Sequence, residues 1–135
     1  MYLHVDVDGV EVAVVRADGV VVSTATGSTG YNLSAGGPVL YPEARELIMT
    51  PIAAHVAHVR PLVLPPETRI DLRVDSDVRA IASFDGQVDF PLDAGAVVHV
   101  RRSEHAALFV RLGPPADFFR NLTHLLTFRE DGRLA

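Results

Sequence analysis

The sequence predicts a mainly β fold of antiparallel strands, a sandwich or a barrel, with a C-terminal amphipathic helix. Three observations carry this. Short stretches rich in Val, Ile and Leu alternate apolar with polar residues, the period of a strand with one buried face. Asp-Gly pairs at 8–9, 18–19 and 85–86 punctuate these stretches, and turn signals recur about every ten residues, which favours a sandwich or barrel over a parallel α/β sheet. Beyond residue 115 the apolar spacing changes to that of a helix.

Tyr2–Val7 alternates, Asp8-Gly9 is a hairpin turn signal, and Val10–Arg16 answers it, so residues 2–16 are expected to form a β-hairpin. Asp18-Gly19 marks a second turn. Val20, Val21 and Val22 follow as β-branched strand material. After a Gly-, Ser- and Thr-rich stretch, Pro42–Leu47 is expected to make one or two helical turns, with Thr50-Pro51 ending them. Residues 60–64, Arg-Pro-Leu-Val-Leu, read as a strand at a sheet edge or with its prolines at a strand end, because prolines bound it. Ile70–Val74 alternates again. Arg79–Phe84, the Asp85-Gly86 turn and Val88–Pro91 read as a hairpin, and Val97–Arg101 and Ala107–Leu112 complete the strands. In 116–128, Phe118, Phe119, Leu122, Leu125 and Leu126 fall at helical spacing, with Asp117 in the first turn. That apolar face needs a surface to dock on.

The chain has 135 residues, the length of one domain, and that suffices for a core without disulfides or a structural metal. Its net charge of −5 argues against non-specific nucleic-acid binding, which relies on Lys and Arg to displace counterions. Cysteine is absent, which excludes disulfides and Cys-based zinc sites. No apolar run reaches the length of a membrane span. The opening Met-Tyr-Leu-His-Val-Asp-Val-Asp-Gly lacks the basic and apolar regions of a signal peptide, so a soluble cytoplasmic protein is expected.

The chemistry concentrates in Ser-Thr-Ala-Thr-Gly-Ser-Thr-Gly-Tyr-Asn-Leu-Ser-Ala-Gly-Gly-Pro, residues 23–38. Glycines let a ligand approach the backbone, the hydroxyls of Thr29 and Ser34 can bond ribose or phosphate oxygens, and Tyr31 can stack on a ring. The same residues also serve as turn residues of a surface loop, and composition alone leaves both readings open. The segment is neither a Walker A loop nor a Rossmann turn, since it has no Gly-Lys-Ser/Thr and no Gly-x-Gly-x-x-Gly. His55 and His58 would share a face if helical, but the bracketing Pro51 and Pro61 favour an extended chain that sets them on opposite faces. His99, His105 and His124 are isolated in sequence. Asp75/Asp77 and Asp89/Asp93 read as solvated strand ends. Asp18 lies just upstream of the Gly-rich segment, and Gln87 follows Asp85-Gly86 with an amide suited to a polar ligand edge. No nucleophile triad is present.

Asp18-Gly19, residues 23–38, the stretch Thr-Pro-Ile-Ala-Ala-His-Val-Ala-His-Val-Arg-Pro-Leu-Val-Leu-Pro at 50–65, and Asp85-Gly86-Gln87, in this order, resemble the C-terminal domain of the NAD kinase family. Phe-Phe-Arg-Asn-Leu-Thr-His-Leu-Leu, 118–126, is similar to the family's closing segment. The resemblance covers nearly all of residues 1–135, and the 26–38 element is its most specific part. It implies an antiparallel β-sandwich that contributes much of an NAD site. It implies that Asp18 contacts the nicotinamide side, often across a subunit boundary, that Thr26, Thr29, Gly30, Tyr31 and Ser34 line the dinucleotide pocket, and that Gln87 lies near the substrate. It further implies phosphoryl transfer from ATP or polyphosphate to the adenosine 2′-hydroxyl of NAD, giving NADP, assisted by Mg²⁺ or another divalent ion, in a homodimer or homotetramer. Two departures are small: the family has Ala at or before the position of Gly30, and commonly Ser at Asn32. A larger one is that the family's Gly-Gly-Asp-Gly motif, with the proposed base, and its Asn-Glu/Asp pair precede this domain and are not found here. The sequence is therefore expected to be the second half of the enzyme, with the N-terminal α/β catalytic domain absent and no metal-binding residues of its own. A binding module without chemistry, and a lipid-kinase-like relative, are the alternatives. The residues 27–31 followed by Ser34-Ala35-Gly36-Gly37-Pro38 favour NAD kinase over the lipid kinases.

Overall fold

The computed structural model describes residues 1–53, 59–75 and 79–126, which fall in two compact units divided between Ser103 and Glu104. Among the described residues, nine strands lie in the first unit: β1 (Tyr2–Val7), β2 (Val10–Arg16), β3 (Gly19–Ser23), β4 (Leu47–Ile52), β5 (Leu62–Leu64), β6 (Ile70–Asp75), β7 (Ala80–Phe84), β8 (Val88–Leu92) and β9 (Val97–Val100). They form antiparallel sheets in the orders β2-β1-β6-β9, β3-β4-β5 and β7-β8. The mainly β, antiparallel sandwich expected from sequence is what the chain forms.

The hairpins follow from their turns. Asp8 and Gly9 have φ of 50° and 81°, and Asp85 and Gly86 of 53° and 65°. Two successive left-handed residues make a type I′ turn, whose twist matches that of the strands it joins. The Asp8 carboxylate also accepts the Arg69 amide at 2.9 Å, which ties the first turn to the entry of β6. Asp18-Gly19 behaves differently. It carries the chain from the four-stranded sheet to the three-stranded one, with the Asp18 amide donating to Ile52 O at 3.0 Å.

The core lies between the two larger sheets. Leu3, Val5, Val15, Ile70, Leu72 and Val74 from one pack with Leu47 and Met49 from the other. Alternation along β1 and β6 sends Leu3, Val5, Ile70, Leu72 and Val74 inward and His4, Asp71 and Arg73 outward, as the period of two requires.

β4 breaks this pattern, because Leu47 to Pro51 are all buried. Leu47 and Met49 enter the inter-sheet core, so Ile48 and Thr50 point to the opposite face, and residues 24–41 cover that face. The sandwich is thus three layers deep at this point. This corrects the expected helical turns over Pro42–Leu47. Residues 41–44 make a single turn, Ala44 N–H donating to Tyr41 O at 2.8 Å, and Leu47 already belongs to β4. Thr50-Pro51 lies inside the strand and does not end an element. A strand covered on both faces reads as a continuous apolar run and loses the alternation that would have betrayed it. Pro51 fits there because Ile52 turns its carbonyl to Asp18, so Pro51 faces its nitrogen away from β3, beyond the Leu47–Met49 stretch where β5 pairs.

β5 lies at a sheet edge, as expected. The strand expected over Ala107–Leu112 does not form. Residues 106–112 belong to no ladder among the described residues, with Leu108 94% and Leu112 98% exposed. β-branched and apolar content signals the capacity to pair, not the presence of a partner. In the same unit, helix α2 (Asp117–Leu126) matches the predicted amphipathic helix and carries Asp117 in its first turn, bonded to Arg120 at 2.5 Å. No helix among the described residues is long and apolar enough to cross a membrane. His55, His58 and Asp77 lie outside the described residues.

Candidate functional site

The Gly-rich segment is a built structure. Thr26–Thr29 forms one 3-10 turn, and Tyr31–Ser34 forms a one-turn helix, α1. The helix stops in a Schellman arrangement. Gly36 N–H donates to Leu33 O at 3.0 Å and Gly37 N–H to Asn32 O at 2.8 Å, with Gly36 left-handed at φ 82°. Gly37 is required for a different reason. A Cβ there would collide with the Asn32 amide oxygen and stand 2.5 Å from Thr50 Oγ1.

Beneath this surface lies a polar network. Ser28, Asn32 and Thr50 are fully buried. Ser28 Oγ donates to Ala25 O at 2.6 Å and accepts the Leu40 amide at 3.1 Å. Asn32 Nδ2 donates to Ser28 O at 3.0 Å and to Pro38 O at 2.9 Å, and Asn32 Oδ1 accepts from Thr50 Oγ1 at 2.7 Å. Burying these groups would be unfavourable were they unpaired; paired, they hold the segment in one conformation. Among the described residues Ser23 Oγ is the buried side-chain atom without a partner, and it lies under Gly27.

The inward set leaves an outward one. Thr26, Gly30, Tyr31 and Ser34 are exposed and Thr29 is half-buried, so the structure brings these five expected site residues together on one turn and one helix. Asp18 stands apart, before β3, and Gln87 in the turn of the β7–β8 hairpin, its backbone N–H donating to Phe84 O at 3.0 Å. Residues 23–42 contain no charged side chain. Their outward face therefore offers hydroxyls, exposed backbone and the Tyr31 ring, 63% exposed. Such a surface can hydrogen-bond a sugar and stack on a base, and it cannot neutralise a phosphate by itself.

The shifted titrations lie elsewhere, on the outer face of the four-stranded sheet. His4 Nδ1 meets Glu11 Oε2 at 2.8 Å and Nε2 meets Asp75 Oδ2 at 3.2 Å. The Glu11 hydrogen bond first, then Asp75, raises the imidazole above its usual range. Asp71 takes Arg69 Nε at 3.0 Å and His99 Nδ1 at 2.7 Å, and Arg69 first, then His99, lowers its carboxyl. Asp75 is the exposed last residue of β6, as the reading of a solvated strand end expects, and it also meets His4 across the strands, while His99 meets Asp71. Among the described residues no three His, Asp or Glu side chains converge to hold a metal ion.

Ser28, Asn32 and Thr50 were not singled out by sequence reasoning. A signal was available for Asn32: an amide in a short helix, just before an Ala-Gly-Gly-Pro stop, has backbone carbonyls in reach.

Comparison with known proteins places this geometry in context. A family model described as the ATP-NAD kinase C-terminal domain matches residues 1–112. A protein named NAD kinase from Dehalococcoides mccartyi is 41% identical over 120 residues, covering 89% of this chain and 42% of the relative. One of the same name from Heliobacterium modesticaldum is 45% identical over 107 residues, covering 78% and 38%. The chain thus spans about two-fifths of the length of the curated relatives it matches. Among solved structures, yeast NADH kinase complexed with NADH superposes with a TM-score of 0.82 at 33% identity, over 99% of this chain and 39% of that one. An NAD kinase from Archaeoglobus fulgidus in complex with ATP gives 0.77 at 36% identity, over 92% and 47%.

Proposed function

The chain belongs to the NAD kinase family, matching its C-terminal domain, and from that premise we propose that it supplies the acceptor side of a kinase that phosphorylates the adenosine 2′-hydroxyl of NAD to NADP. The observation that carries the reading is the outward face of 26–34: hydroxyls, backbone and one aromatic ring, free of charge and held rigid from beneath. Thr26, Thr29, Gly30, Tyr31 and Ser34 line the dinucleotide. Gln87 approaches it from the hairpin, and Asp18 reaches it from a neighbouring subunit of a homo-oligomer.

The chain's part in the chemistry is to bind and orient. In the transfer, the 2′-oxygen bonds to the terminal phosphorus of ATP or polyphosphate, its proton goes to a base, and the shortened donor leaves. The base and the grip on the donor phosphates belong to the N-terminal α/β domain. A divalent ion, Mg²⁺ by the family's chemistry, would neutralise those phosphates. The residues around 26–34 do not fit such an ion, since they offer neutral hydroxyls where Mg²⁺ takes carboxylates and phosphates. The near-complete exposure of Leu108 and Leu112, and the apolar stripe of α2, support the N-terminal domain as a partner surface. The cytoplasm, where NAD and ATP are at hand, is the proposed location.

The test is NADP formation from NAD, ATP or polyphosphate, and Mg²⁺, read by a coupled dehydrogenase. The chain alone is expected to form none, and adding a family N-terminal domain is expected to restore activity. Robust turnover by the chain alone would contradict the division of roles.

A further inference from the structure

Asn32 joins three parts of the fold: the 3-10 turn, the return stretch and β4. The backbone bonds within residues 25–37 are all local, linking residues three to five apart. Ties over longer range come from side chains: among the described residues Ser28 Oγ reaches Leu40, and the Asn32 amide spans the 3-10 turn at Ser28, the return stretch at Pro38 and Thr50 of β4. The Thr50–Asn32 bond crosses 18 residues of sequence and fixes α1 to the sheet. Gly37 is the complement of this bond, since any side chain there would fill its space. Successive helical residues diverge by about 100°. Seating Asn32 inward therefore sets the outward direction of Tyr31 beside it.

We propose that Asn32, braced by Thr50, is a positioning residue for the dinucleotide: it fixes the height and rotation of α1 over β4, and so where Tyr31 and Ser34 meet the ligand. The proposal rests on the reading that this outward face binds NAD. The amide is specific to the task. A carboxylate at 32 would face the carbonyl oxygens of Ser28 and Pro38 with no hydrogens to give, and a valine at 50 would keep the shape of threonine while leaving Asn32 Oδ1 without its donor.

The experiment uses the enzyme assembled from this chain and a family N-terminal domain, with steady-state kinetics well below each variant's melting temperature. Thr50→Val and Asn32→Asp are expected to raise KM for NAD by about fivefold or more while KM for the phosphoryl donor holds. Thr50→Ser, which keeps the hydroxyl, is expected to bring KM for NAD back toward the wild-type value. Thr50→Val keeps the test open should Asn32→Asp fail to fold. Tyr31→Ala is run in parallel and is expected to raise KM for NAD as well. If Tyr31→Ala raises it and Thr50→Val only lowers the melting temperature, Asn32 and Thr50 are structural and the inference is overturned alone. If Tyr31→Ala leaves KM for NAD unchanged, the face is not the NAD site and both readings are overturned.

Discussion

Gly37 sets the strictest steric condition in the segment. Its neighbours are Asn32 Oδ1 and Thr50 Oγ1, both buried and bonded to each other, so neither can swing away without leaving a polar atom unpaired. Gly37→Ala is expected to destabilise the folded unit by about 1–3 kcal/mol, the usual cost of overpacking a filled interior. Urea denaturation checks it, and an unchanged midpoint would mean that the loop relaxes freely around the added carbon. Gly36 differs in kind, because its left-handed φ of 82° and not its space excludes other residues. The glycines of residues 23–38 were legible as places of close approach to the backbone. That the two glycines answer to different constraints was not, because the second depends on Thr50, which sequence reasoning had placed at the end of an element.

At the scale of elements, the hairpins were legible because Asp-Gly carries its own geometry: both residues must be left-handed in a type I′ turn, and the strands on either side alternate. β4 was not legible, since covering both its faces erased the alternation on which the reading depended. The 107–112 segment failed for the opposite reason. Its pattern is that of a strand, and pairing needs a second strand that no local pattern encodes. The four-stranded sheet yields a prediction in pH. The His4 imidazolium is held by Glu11 and Asp75 across β1, β2 and β6, with Arg73 opposing. A raised folded-state value means that the stabilisation is fully present below the ordinary 6.5 and is lost as pH rises through the folded value. Thermal melts should therefore show a fall in melting temperature as pH is raised from below 6.5, and His4→Gln should flatten it. An identical slope in the variant would remove His4 as its source. Asp71 acts at the other end. Its lowered carboxyl contributes stability above the ordinary 3.8 that is lost as pH falls through the folded value.

At the scale of the whole molecule, a sandwich carries a third layer, and that layer presents the candidate site. Burial divides the segment: Ser28 and Asn32 are buried, Asn32 against Thr50 of the sheet, while Thr26, Gly30, Tyr31 and Ser34 face solvent. The resemblance in sequence marked the outward residues. The inward ones emerged only from the fold, because their partners Thr50 and Pro38 lie on other stretches of chain. The central claim is that this outward face takes the dinucleotide. It is tested most directly by titrating the isotope-labelled chain with NAD and following every backbone amide by NMR. Shifts concentrated on residues 26–34 are the predicted result. Shifts concentrated on the outer face of the four-stranded sheet, around His4 and Asp71, or no shifts at millimolar NAD, would contradict it.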